Sequence, residues 1–558
     1  MRRAALVFLF VACAGPLLAA GGHPFCGTTR DGGRTAIAAH EEREARGDDV
    51  FEASDVTISS DVGNIAVLLD EGDLALRRNT LDLANVGVEF SPDGTRYRAA
   101  RVDRPVVAGG GTALRLTDDS TVSVTLPFSF KFRGIAYTRV FVNSDGNLTF
   151  GEGDDASTSR SLGRFLAGPP RISPLFADLD PGKSGASVTT RTEGDSFRVT
   201  WTNVPQFGKT DKNTFQVTLS KNGRIAFAWA AGLTTLLDEG VVGIAPGKNQ
   251  GGFTPVNMSA VAALSSGAIA ESFRIDNQLD LVAAARKFYR SHRDDYQQIL
   301  FFTSQSLIGR GVFAFENNIQ NADAGTGVDI EDASSQYGSQ GRLESVVMMD
   351  ALSKYSTSPS QRINGEDTSL SLIGHEAGHR WLASATFRDG SRTSNELLGR
   401  DLAHWSFFMD SDGSYDEGNE ITDLGGGQFR TAGASLGYGP LDEYLMGVRR
   451  PEDVRPVFIV RNPTGTSSTD PGRDPQTGVT FRGTRRDVLM SEIIVSLGQR
   501  RPAASTTLPP WRQAFVYVSV GGPADPAAIA KVDQLRKQWE PFFRAAVNQR
   551  RSVDTRIQ

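Results

Sequence analysis

Apolar and polar residues alternate, or gather in short apolar runs, through much of the first half of the chain. Val122-Ser-Val-Thr-Leu126, Phe130-Lys-Phe132, Val140-Phe-Val142, Leu148-Thr-Phe150, Phe197-Arg-Val-Thr-Trp201, Thr214-Phe-Gln-Val-Thr-Leu219 and Ile225-Ala-Phe-Ala-Trp229 predict strands. Turn residues separate them: Asn143-Ser144-Asp145-Gly146-Asn147, Asp180-Pro181-Gly182 and Lys221-Asn222-Gly223 tolerate positive φ or pre-set a bend. An antiparallel β-sandwich over residues 111–260 is the expected result. Shorter runs at Ile65–Leu69 and Val86–Phe90, with a Pro92-Asp93-Gly94 turn, predict a small β unit that closes a leader region, 21–110. The charged run His40–Arg46 reads as a solvated helix or flexible leader, and the Ala/Ser/Gly-rich stretch 261–275 as a linker.

Past residue 276 the period changes. Leu279, Val282, Ala283, Arg286 and Tyr289 keep helical spacing, Ile299–Phe302 and Gly311–Phe315 read as buried strands, and Leu343–Met349 as another. Leu370, Ile373, Ala377 and Trp381 recur at steps of three and four, behind possible caps at Asp367, Thr368 or Ser369. Trp405–Met409, Pro456–Val460 and Phe515–Ser519 read as strands, Asp487–Leu497 and Ala527–Gln549 as helices. The expectation is a multidomain chain, an antiparallel β-sandwich followed by an α+β domain over 276–558.

The helix after Thr368 carries Gly374-His375-Glu376-Ala377-Gly378-His379. Histidines four apart project from one helical face, so His375 and His379 can take two positions around Zn²⁺, with Glu376 beside a metal-bound water. The expected chemistry is zinc-assisted peptide hydrolysis with Glu376 as general base. A zinc hydrolase acting on other amides uses the same residues. The third ligand is open. His404 lies 25 residues after His379 and starts a strand-like run, while Glu396 lies 17 residues after it; Asp442 and Glu443 are further alternatives. Tyr438 and Tyr444 are candidate hydrogen-bond donors to an oxyanion. The oxygen-rich stretch around Asp410, Asp412 and Asp416 is a candidate Ca²⁺ loop, though its glycine, Gly413, is misplaced for an EF-hand.

Composition narrows the setting. The 558 residues are 39% hydrophobic and 22% charged, as in globular proteins, and the net charge of −6 leaves no basic footprint for nucleic acid. Arg2-Arg3, an apolar run from Ala4 to Leu18 and Ala19-Ala20 read as a signal peptide (residues 1–20) cleaved near Ala20, which predicts a secreted, periplasmic or cell-surface protein with no transmembrane segment. Cys13 lies within that segment, in a loose likeness to a lipid-attachment box. Cleavage leaves Cys26 as the sole cysteine, which excludes an intrachain disulfide and leaves it as a bystander. A monomer acting on a protein or peptide substrate, such as extracellular-matrix or cell-surface protein, is expected.

Two resemblances add to this. Phe141-Val-Asn-Ser-Asp-Gly-Asn-Leu-Thr-Phe-Gly151, Ile172–Asp178, Val199–Val204 and Asn213–Gln216 resemble the nidogen-type extracellular β domain, which implies an adhesive or substrate-engaging module. The helix–strand–metal-helix order resembles the N-terminal half of a zincin peptidase domain. In that family the strand ahead of the metal helix forms the rim of a substrate cleft, where a peptide adds as an extra strand; Val312–Phe315 and Leu343–Met349 are the candidates. The metzincin pattern fails, since Leu382 and Ala385 stand at its glycine and third histidine; Asn395-Glu396-Leu397-Leu398 looks more like the gluzincin arrangement. Trp405–Gly413 and Tyr438–Gly447 look like motifs of exported bacterial metallopeptidases, which implies that Met446 either floors the zinc site or fills the core. An adhesion or carbohydrate-binding protein with a degenerate zincin domain is the alternative function.

Overall fold

The computed structural model describes residues 25–47, 60–107, 109–505 and 507–558. The expected signal peptide and Cys13 lie outside the described residues. The architecture is mostly β, in several sheets. No helix among the described residues is long and apolar enough to cross a membrane.

Two sheets share one core in the first half of the chain. One runs Phe253–Pro255, Ala268–Arg274, Glu239–Ala245, Arg171–Phe176, Asn147–Thr149, Ile135–Asn143, Thr121–Phe132. The other runs Ala262–Ser265, Arg96–Val102, Gly87–Asp93, Ile225–Trp229, Asn213–Ser220, Ser196–Val204, Ser187–Glu193, Thr112–Leu114. Within Ser196–Val204 the alternation does what period two requires: Phe197, Val199 and Trp201 are buried between the sheets, where they meet Phe90, Phe130 and Val142.

Three expectations need correction. Residues 261–275 are not a linker, because they supply strands Ala262–Ser265 and Ala268–Arg274. Every residue of Ala268–Arg274 is buried, and its small side chains let the helix Leu162–Ala167 pack close through Ala268 and Ala270. Smallness that reads as a linker is here a consequence of tight layering. The small β unit is also divided. Gly87–Asp93 and Arg96–Val102 belong to the sandwich, whereas Ile65–Asp70 pairs in parallel with Trp511–Val520, far along the chain. Finally, the charged run around His40 is a helix, as one of the two expectations had it, but only part of it is solvated: Glu41 and Glu44 are exposed, whereas His40, Glu42 and Arg43 are buried. It lies in a helix, Gly32–Arg46, where His40 Nδ1 and Arg43 each donate to Asp280 Oδ2 at 2.7 Å and Glu42 accepts from Ser272 N at 2.8 Å. Those carboxylates make this helix a brace between sandwich and second body, since buried charge is tolerated only when paired.

The second body is built on a mixed sheet ordered Phe25–Cys26, Val312–Asn318, Ser345–Ala351, Gln298–Thr303, Trp511–Val520, Ile65–Asp70, Ser60–Val62. Its centre is parallel, and helices cover both faces, as buried parallel strands require. Ile299 and Phe301 pack on the helix Leu281–Tyr289; Leu300 and Phe302 face the helices Ser369–Gly378 and Pro526–Ala546 on the other side. Val312–Asn318 runs antiparallel to Ser345–Ala351 and would be the sheet edge but for Phe25–Cys26, which adds to it in parallel.

A small closed barrel follows the helix Ser369–Gly378: Met409–Asp410, Asn419–Gly425, Gln428–Ala434, Thr480–Val488 and Val457–Thr464. The strand expected at Trp405–Met409 is mostly irregular chain. Its Phe407 and Phe408 fill the barrel with Phe429, Phe458 and Phe481 instead of alternating across a sheet.

Candidate metal centre

The helix Ser369–Gly378 begins with a reciprocal cap: Ser371 N donates to Thr368 Oγ1 at 3.2 Å and Thr368 N to Ser371 Oγ at 2.9 Å. Leu370, Ile373 and Ala377 seat it on the central sheet. His379 caps the C-terminal end, still at helical φ and ψ (−52°, −23°), with its N–H on His375 O at 3.3 Å. Helical geometry therefore holds through both histidines, and their Nε2 atoms lie 3.1 Å apart.

The loop after the small helical turn Arg400–Leu402 brings His404 to the same place. Ring centroids of His404 lie 5.5 Å from His375 and 4.8 Å from His379. Two of the three rings are oriented by main-chain carbonyls, which can only accept. His375 Nδ1 donates to Tyr415 O at 2.7 Å and His404 Nδ1 to Arg400 O at 2.9 Å, leaving each Nε2 with a lone pair. Gly374 permits the first of these, since a Cβ there would stand 2.9 Å from the Tyr415 ring.

A fourth donor comes from the start of the described chain. Cys26 Sγ lies 3.4 Å from His379 Nε2 and 3.5 Å from Glu376 Oε2. One donor atom each from Cys26, His375, His379 and His404 falls within a 4.8 Å sphere of mutual distance, and all four residues are buried. Donors of one tetrahedral zinc stand about 3.3–3.6 Å apart given bond lengths of roughly 2.0–2.3 Å. Contacts of 3.1 and 3.4 Å suit that geometry.

The surrounding polar atoms fit a cation as well. His404 Nε2, Glu376 Oε1 and both carboxylate oxygens of Asp416 are buried without a hydrogen-bond partner, and Asp416 Oδ1 stands 3.4 Å from His379 Nε2. Unpaired buried groups of this kind are costly, and a divalent ion at the imidazoles relieves several at once. Burial shifts the three imidazoles and the Glu376 and Asp416 carboxyls toward their neutral forms. It lowers His375 to about 4 and takes His379 and His404 well below the usual imidazole range. It raises Glu376 to about 8 and puts Asp416 well above the usual carboxylate range, with Asp442 and Glu376 adding repulsion to the latter.

The other residues singled out by sequence go elsewhere. Glu396 accepts from Ser394 Oγ at 3.0 Å and pairs with Arg461 beside the barrel. Asp442 accepts from Trp405 Nε1 at 3.0 Å and Gly439 N at 2.8 Å, and Glu443 pairs with Arg449 at 2.6 Å. Tyr438 donates to Gly374 O at 2.6 Å, and Tyr444 OH accepts from Arg500 N at 3.2 Å. Met446 is core. Asp410 accepts from Ile421 N at 2.9 Å, Asp412 pairs with Arg455, and Asp416 faces the imidazoles, so the three carboxylates do not converge on one calcium.

Cys26, expected as a bystander, instead lies among the histidines, because Phe25–Cys26 is pinned to the edge of the central sheet next to the helix Ser369–Gly378. The one signal in the sequence was that a lone cysteine followed the presumed cleavage point; its partners lay hundreds of residues away. A second acidic cluster, Asp118, Asp119 and Asp178, sits in the sandwich, where Arg160 contacts Asp119 and Asp178.

Comparison with known proteins finds a match for the sandwich. A family model described as NIDO related matches residues 96–289, from strand Arg96–Val102 to the helix Leu281–Tyr289. The match includes residues 261–275, in keeping with their place in the sheets. No curated protein and no solved structure matches the chain.

Proposed function

We propose that the chain is an exported zinc-dependent endopeptidase in which a zincin-like body, formed by 276–558 together with strands Phe25–Cys26, Ser60–Val62 and Ile65–Asp70, is braced to a nidogen-related β-sandwich. The observation that carries this reading is the convergence of His375, His379 and His404 beside Glu376, with the buried Nε2 of His404 free of any hydrogen bond. Three imidazoles and a carboxylate that does not ligate are the donor set of a hydrolytic zinc site. Zinc held there supplies Lewis acidity, which polarises a scissile carbonyl and eases loss of a proton from water.

The chain's own residues do the rest. The carbonyls of Tyr415 and Arg400 hold the His375 and His404 rings so that Nε2 points inward. Glu376, next to both helical histidines, takes the proton of the attacking water and returns it to the leaving amine. Val312–Asn318, whose outer edge carries Phe25–Cys26 in the described state, is the strand where a peptide main chain would pair in place of that segment. The nidogen-related domain suits engagement of an extracellular protein substrate.

A second reading is favoured by the fourth donor. Four protein ligands close a structural zinc site, and a closed Cys–His₃ site would leave an adhesive or carbohydrate-binding protein without hydrolytic activity. Metal content and hydrolysis of a mixed peptide library, measured on wild type and Glu376→Gln, separate the two. Zinc in both proteins with hydrolysis only in wild type supports the peptidase. Equal hydrolysis by both overturns the assigned role of Glu376, and zinc without hydrolysis under every condition favours the binding protein.

A further inference from the structure

We infer that Cys26 is a fourth ligand of the candidate metal and that Phe25–Thr28 fills the peptide cleft, so that the described state is self-blocked. The inference rests on the peptidase reading and adds to it an internal inhibitor. Its sulfur lies 3.4 Å from His379 Nε2, within the same cluster as the unpartnered Nε2 of His404.

The backbone gives an independent argument. Phe25 N donates to Gly311 O at 3.0 Å and Gly27 N to Ala314 O at 2.9 Å, so the segment pairs with the outer edge of Val312–Asn318 as a bound peptide would. Residue 27 has to be small: a Cβ on Gly27 would meet Val312 Cγ1 at 2.7 Å. Thr28 Oγ1 donates to Glu376 Oε2 at 3.3 Å while accepting Glu316 N at 2.7 Å, tying the general base to the edge strand. On the opposite wall Arg30 Nε donates to Leu402 O at 2.9 Å, and the Arg400 guanidinium stands 5.2 Å above the Phe25 ring. The segment thus spans from the edge strand to the loop that delivers His404. What remains open beside His379 is a cavity of about 60 Å³, walled in part by Thr28 and Arg30.

In this state one Glu376 oxygen is held by Cys26 and Thr28, and the position a substrate carbonyl needs is taken by sulfur. With a metal held by the three imidazoles, Cys26 would join as the thiolate, its proton passing to Glu376 Oε2 at 3.5 Å, and would take that proton back as the segment withdraws. Cleavage or displacement of the chain around Phe25–Arg30 then opens the cleft.

The test uses the full secreted chain and its Cys26→Ser variant, each loaded with Co²⁺ for spectroscopy and with Zn²⁺ for peptidase assay. Wild type is expected to show a sulfur-to-cobalt charge-transfer absorption that the variant lacks. Its thiol should react with iodoacetamide only after chelation. The zinc-loaded variant should hydrolyse peptides about tenfold faster or more, because a tethered ligand acts at millimolar effective concentration. Bound cobalt without the sulfur band, or thiol labelling indifferent to metal, overturns the inference and leaves the peptidase reading intact. Loss of metal in Cys26→Ser overturns the latch in favour of a closed structural site. Failure of the wild type to bind cobalt or zinc overturns the metal reading itself, and the latch with it.

Discussion

His404 Nε2 and Glu417 Oε1 stand 3.8 Å apart, yet the histidine nitrogen makes no hydrogen bond, because Glu417 is engaged by Arg400 instead. A fully buried imidazole nitrogen is thereby kept open toward His375 and His379. Replacing His404 by Ala is expected to lower zinc occupancy to a small fraction of wild type, while Glu396→Ala, at the Arg461 pair near the barrel, retains it. Metal analysis by mass spectrometry on the two variants checks this. Zinc lost in Glu396→Ala alone would reverse the ligand assignment.

Glu376→Gln preserves the shape of the site and removes the proton acceptor. Zinc content should be unchanged and kcat/KM should fall by about two to four orders of magnitude, the usual contribution of a positioned acid–base group. The comparison is best made on Cys26→Ser protein, so that self-blocking does not mask the loss.

The brace helix is expected to matter for stability. Asp280 accepts from His40 and Arg43 and caps the next helix through Ala283 N at 2.9 Å. Asp280→Ala leaves Arg43 and His40 buried without that carboxylate, at a cost of about 3–5 kcal/mol. Denaturant unfolding followed by tryptophan fluorescence reads it; a change under 1 kcal/mol (roughly the value of an exposed pair) would refute the brace.

Asp154 gives the sandwich a predictable acid limb. Burial acts to raise its carboxyl, but Arg171 and Arg164 prevail and hold it at about 2, with bonds of 2.5 Å to each. A carboxyl depressed in the folded state adds stability above its unfolded value near 3.8, and that stability drains away as pH falls toward 2. The shift corresponds to about 2 kcal/mol. Asp154→Asn should lose that amount at neutral pH and flatten the stability profile between pH 4 and about 2. A variant with the wild-type profile would remove Asp154 from the account.

Local pattern made much of this molecule legible. The period of two in Ser196–Val204 and the cap-plus-stripe of the helix Ser369–Gly378 are properties of neighbouring residues, and the structure places both elements within a few positions of where the pattern put them. Ala268–Arg274 was misread because Ala268, Ala270 and Ser272, after a Ser-Ser-Gly run, dilute the signal of Ile269 and Phe273, though all of its residues form a wholly buried strand. The barrel escaped notice since Phe407 and Phe408 are adjacent in sequence and pack on one core, which no strand period allows.

The sequence by itself determined the nidogen-related sandwich and the pairing of His375 with His379, because a helix turns four residues into neighbours by its own hydrogen bonds. Tertiary structure decided everything that closes the site. Whether His404 or Glu396 joins the pair depends on where a loop of irregular backbone is held by the Arg400 carbonyl and the barrel wall. Cys26 arrives only because a sheet edge at Val312–Asn318 has unpaired amides and carbonyls that another strand must satisfy. Such edge pairing depends on the free partner that folding brings within reach, and no spacing along the chain records it.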